Sequence, residues 1–115
     1  MTYTYGQSVE GSLLEVSAVA VDDRCLVMLR GELDLETAPA ARDAIDAAIT
    51  PGVTEIHIDA SELWFIDSTG LKLLVFTART FRAAGGEFRI DSASLQLRRM
   101  LDMLALTEHL NLAAI

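Results

Sequence analysis

The sequence predicts a single α/β domain in which helices flank a mixed sheet of four to five strands. Two observations carry this. Apolar, strand-like runs alternate with segments whose apolar residues recur at helical spacing, the pattern of a partly parallel sheet with helical crossovers. The chain has 115 residues and is 51% hydrophobic, enough for one compact core and little more.

Residues 1–12 begin polar and aromatic and are expected as a flexible arm, with the domain over residues 13–115. Leu14 to Val21 alternates loosely and is rich in small and β-branched residues. Asp22-Asp23-Arg24 then forms a turn, and Cys25 to Leu29 is an almost unbroken apolar run, so the two runs make a hairpin. Gly31-Glu32-Leu33-Asp34 ends the second strand. Thr37 is placed to cap a helix with Pro39 in its first turn, where a missing N–H costs nothing. Ala41, Ile45, Ala48 and Ile49 give that helix one apolar face, and Thr50-Pro51-Gly52 stops it.

Val53 to Asp59 is a further strand, and Ala60 to Asp67 is expected as a loop carrying Leu63, Trp64, Phe65 and Ile66. A second helix starts at Ser68, with Leu71, Leu74, Val75 and Ala78 toward the core. Gly85-Gly86 closes it, because glycine tolerates the left-handed cap conformation. Glu87 to Ile90 is a short strand. Ser94 caps a third helix with Leu97, Leu101 and Leu104 at helical spacing, and His109 to Ile115 is expected as a last edge strand.

Composition excludes several functions. The formal net charge is −8, whereas nucleic-acid binding needs a basic surface to neutralise phosphates, and anionic lipid attracts basic surfaces too. A protein partner with a basic patch suits this charge better. The one cysteine, Cys25, cannot form an intrachain disulfide. The start, Met1 to Gly6, lacks the basic flank and apolar stretch of a signal peptide, and no apolar run approaches the roughly 18 residues of a membrane span. A soluble, cytoplasmic, monomeric protein is expected.

The informative stretch is Ile56-His57-Ile58-Asp59-Ala60-Ser61-Glu62-Leu63-Trp64-Phe65-Ile66-Asp67-Ser68-Thr69-Gly70-Leu71. It leads from a buried strand to a hydroxyl at a helix start. The first-turn N–H groups have no intrahelical partner there, and the helix dipole favours negative charge. A phosphate on Ser68 is therefore tolerated by the helix, while the surface changes by almost two charges. On local pattern alone, simple helix capping is the commoner reading of such a stretch.

Taken in order, Gly31-Glu32-Leu33-Asp34, Ile58-Asp59, Phe65-Ile66-Asp67-Ser68-Thr69-Gly70-Leu71, Gly85-Gly86 and Arg98-Arg99-Met100-Leu101-Asp102 resemble the STAS domain of anti-sigma factor antagonists, over about Leu13 to Leu112. The resemblance implies a small α/β sheet flanked by helices. It implies that Ser68 is phosphorylated by a serine kinase that is also the anti-sigma factor. The unphosphorylated protein would bind that kinase and free the sigma factor, phosphorylation would break the binding, and a phosphatase would reset it. Members often end with a further helix after the last strand, whereas this sequence stops at Ile115, so the closing helix is expected to be absent or the packing rearranged.

At about 100° per residue, Thr69, Leu73, Phe76 and Thr80 fall opposite the core side of the second helix, so Leu73 and Phe76 are expected to be exposed beside Ser68. Asp34, Asp67, Thr69, Gly70, Lys72, Leu73 and Phe76 are the expected partner-binding residues. Asp34 and Asp67 have ordinary turn and cap roles as alternatives. Asp59 is expected to satisfy local backbone donors.

Other classes fit less well. No Gly-x-Ser-x-Gly elbow surrounds Ser68, and His57 lies inside a strand, so no intrinsic catalysis is expected. A phosphoacceptor Asp59 wants a paired acidic metal site and a late lysine, but Lys72 is the only lysine. No cofactor or metal is expected, for want of a His/Cys cluster or a glycine-rich phosphate loop. Within the family, the alternative is a phosphorylation-independent scaffold.

Overall fold

The computed structural model describes residues 2–9 and 12–113. Its elements are β1 (Thr2–Val9), β2 (Ser12–Val21), β3 (Arg24–Leu33), α1 (Ala38–Ala48), β4 (Glu55–Ile66), α2 (Ser68–Ala83), β5 (Glu87–Ala93) and α3 (Leu95–Met103). The five strands form one sheet in the order β1-β2-β3-β4-β5. The first two pairings are antiparallel and the last two parallel, so α1 and α2 are the crossovers. The mixed α/β architecture is the one the sequence predicts.

The N-terminal arm is a correction. Residues 1, 10 and 11 lie outside the described ones, but Thr2–Val9 pairs along its whole length with β2, Thr2 opposite Val19 and Val9 opposite Ser12. The segment is rich in Thr, Tyr and Val, types that favour extended backbone.

One face of the sheet is the core. Leu14, Val16 and Ala18 on β2, Cys25, Val27 and Leu29 on β3, Ile56 and Ile58 on β4, and Phe88 and Ile90 on β5 are all buried. They form one cluster with Ala41, Ala44 and Ile45 of α1, Leu71 and Leu74 of α2, and Leu97 and Leu101 of α3. The alternate positions on the opposite face, among them Leu26, His57 and Arg89, lie in one cross-strand row.

The hairpin turn is Asp22-Asp23, with Asp22 in the left-handed region at φ 56°, where Asp is tolerated. The Asp23 carbonyl then accepts hydrogen bonds from the N–H groups of Thr54 and Glu55, which fastens the hairpin to the start of β4.

β4 is longer than expected. The chain stays paired to Ile66, opposite Leu33, so residues 60–66 are strand rather than loop. The register slips between Met28 and Arg30 and again between Gly31 and Glu32, each time leaving an extra residue on β4. Buried positions after Ala60 are therefore Leu63 and Ile66, three apart instead of two, which hides the strand from a search for alternation. The Asp59 carboxylate braces the first irregularity by accepting from the Ser61 N–H at 3.0 Å and its hydroxyl at 2.7 Å, the local role expected of it.

The C-terminal part holds two more corrections. Leu104 is exposed, because α3 ends at Met103 and Ala105 turns the chain at φ 56°. No edge strand forms over residues 109–113. The chain makes a single bridge, Leu112 to Ile90, while Arg82 donates to the carbonyls of His109 and Phe88 and pins the turn to β5. Ile115 lies outside the described residues. Among the described residues, no helix is long and apolar enough to cross a membrane.

Candidate functional site

The site is built where the parallel strands β3 and β4 end together. Asp67 leaves β4 in extended backbone and is the N-cap of α2, its Oδ1 accepting from the Gly70 N–H at 2.9 Å. Its Oδ2 accepts from the Leu35 N–H at 3.1 Å. One carboxylate thus serves both the helix start and the β3–α1 loop.

That loop has its own brace. Asp34 Oδ1 accepts from the N–H groups of Glu36 and Thr37, each at 3.0 Å. The Thr37 hydroxyl donates to the Glu32 carbonyl at 2.8 Å and accepts from the Asp34 N–H at 3.0 Å. Thr37 precedes α1 as expected, but its fully buried hydroxyl holds the loop and makes no cap bond to the helix.

Ser68 is the first residue of α2 and is exposed. Gly70 is buried, against the expectation of a partner contact. A Cβ there would press on the Leu33 carbonyl oxygen and stand 2.9 Å from Leu33 Cγ, so the missing side chain lets α2 start hard against β3. Thr69 is half-buried and Lys72 exposed.

Leu73 is a second correction. It is only 8% exposed, whereas Phe76 is 52% exposed. The helical wheel assumed one covered side, but α1 packs beside α2, and Leu73 lines the groove between them with Ala38, Pro39 and Arg42. Phe76 stays on the outer wall, with the Arg42 guanidinium 5.1 Å from its ring centre.

Sequence reasoning missed part of this surface. Leu35, Trp64 and Phe65 are exposed at the same end of the sheet. Trp64 and Phe65 sit between buried Leu63 and Ile66, and a bulged strand read as such would have turned them outward. Arg42 was invisible, because its place beside Phe76 depends on how two helices pack. Of the expected residues, Thr69, Lys72 and Phe76 line one groove with Leu35, and the Asp34 and Asp67 carboxylates are engaged in holding backbone beside it.

The family model described as Mlab, STAS domain matches residues 16–113. The chain belongs to the STAS domain family. Against this STAS domain, the anti-sigma-B factor antagonist of Staphylococcus epidermidis is 27% identical over 100 residues, covering 85% of this chain and 93% of that one. The crystal structure of an anti-sigma factor antagonist from Mycobacterium paratuberculosis superposes with a TM-score of 0.72 at 24% identity, covering 100% of this chain and 87% of the other. The phosphorylated form of the Bacillus cell fate determinant SpoIIAA shares the fold at a TM-score of 0.64 and 24% identity, over 97% of this chain and 92% of its own. The two solved structures share the fold described above.

Proposed function

We propose that this STAS domain is an anti-sigma factor antagonist switched by phosphorylation on Ser68. The unphosphorylated form binds an anti-sigma factor that is also a serine kinase, and so releases a sigma factor. Phosphate on Ser68 ends the binding, and a phosphoserine phosphatase restores it. The partner meets the end of the sheet where Ser68, Thr69, Lys72 and Phe76 lie with Leu35, Trp64 and Phe65, while Asp34 and Asp67 hold that surface in shape.

The observation that carries this is an exposed serine at the first position of a firmly capped helix. A kinase can reach such a hydroxyl without unfolding anything. Phosphate there meets first-turn N–H groups and the favourable end of the helix dipole. It adds about −1.5 to −2 charges to a chain already at −8, so a partner drawn by acidic charge and seated on exposed apolar side chains meets a changed surface on an unchanged fold.

The test is incubation with ATP and each candidate anti-sigma kinase of the host, followed by intact and peptide mass analysis and a binding measurement. One phosphate on Ser68, absent from Ser68→Ala and accompanied by loss of kinase binding, is the expected result. Binding that is equal with and without the phosphate, or no phosphate from any candidate, would replace the switch with a phosphorylation-independent scaffold.

A further inference from the structure

The sheet face opposite the core carries a row of charge unrelated to Ser68. His57 on β4 is bonded at both ring nitrogens. Its Nε2 lies 2.9 Å from Glu55 Oε1 and its Nδ1 lies 3.0 Å from Asp91 Oδ2. The other oxygen of Asp91 accepts from Arg89 Nε at 2.7 Å. Glu55 and His57 belong to β4, Arg89 and Asp91 to β5, so the row runs across a parallel strand pair.

The geometry decides the protonation state. Neutral imidazole has one N–H and one lone pair, so one of the two carboxylates would face a lone pair at hydrogen-bond distance. Only imidazolium donates to both. We propose that His57 is held as imidazolium at neutral pH and acts as a proton-operated latch between β4 and β5, opening on the alkaline side.

The other charges on this face are mixed in sign. Asp59 on β4 and Glu87 on β5 add negative charge on the same face, and Arg24 and Arg30 on β3 and Arg89 on β5 add positive. Arg89 stands opposite His57 in the register, but its guanidinium is turned to Asp91. Partial burial pulls the His57 pKa down, and the hydrogen bonds that the ring donates to Glu55 and Asp91, with the charges of those carboxylates, outweigh it and raise it above 6.5. A raised folded-state pKa contributes stability that is complete below 6.5 and is lost as pH climbs through the folded value.

The test is nitrogen NMR of the His57 ring in the whole protein, titrated from neutral to alkaline pH. Both ring nitrogens should be protonated at neutral pH, with a midpoint above 6.5, and Asp91→Asn should move that midpoint down. Thermal stability should fall from neutral to alkaline pH in the wild type and change less in His57→Gln. A neutral ring at neutral pH, a midpoint at or below 6.5, or a midpoint indifferent to Asp91→Asn would overturn the latch. The NMR arm stands even where His57→Gln folds poorly.

Discussion

One oxygen of Asp67 caps the helix that presents Ser68, and the other holds the backbone of Leu35, 32 residues earlier in the chain. Replacing it with alanine removes both. Asp67→Ala should destabilise the fold by about 1–2 kcal/mol, the usual cost of a lost N-cap, measured by urea unfolding, while Asp67→Asn, which keeps an oxygen for the cap, should cost less. Ser68→Ala, at an exposed position, should stay within about 0.5 kcal/mol of the wild type. The helix start at Ser68 was legible in the sequence, because Asp-Ser-Thr before an apolar stretch is a local signal. The second duty of Asp67 was not, since it is owed to a loop that only the fold brings near. The same is true of Thr37, whose hydroxyl turns back to Glu32 and Asp34 rather than forward into α1.

Leu73 and Phe76 are three residues apart on α2 and separate structure from surface. Leu73 faces α1 and is buried, so Leu73→Ala should cost about 2–4 kcal/mol, the range for emptying an apolar site. Phe76 is half exposed, so Phe76→Ala should barely move the melting temperature while weakening binding of the anti-sigma partner. Paired thermal melts and titrations on the two variants check both statements, and a large stability loss in Phe76→Ala would place that ring in the core. Helix periodicity revealed that α2 exists and which face meets the sheet. It could not reveal that a second helix covers its flank. β4 shows the opposite gap: its strand character is plain up to Asp59 and vanishes where two bulges change the spacing of buried residues from two to three. Leu104 was misplaced for a related reason, since a periodic pattern does not announce the residue at which a helix stops.

At the scale of the whole molecule, alternating strands and helices were enough to predict the mixed sheet, because each crossover announces itself by a change of period. The placement of β1 and the last bridge depended on edges, where pairing is decided by what else is available to cover them. The strand order also has a consequence in time. β2 and β3 meet across a two-residue turn, but β3–β4 and β4–β5 each join only after an entire helix has been laid down between them. Closing such long loops costs entropy before any contact repays it. Refolding should therefore take on the order of milliseconds to seconds rather than microseconds. Trp64, the single tryptophan, lies in β4, so its stopped-flow fluorescence follows the arrival of the first crossover strand. The hairpin, which lacks that residue, should form without a change in this signal, and the end of β4 that leads to Ser68 should be among the later parts of the chain to find its place.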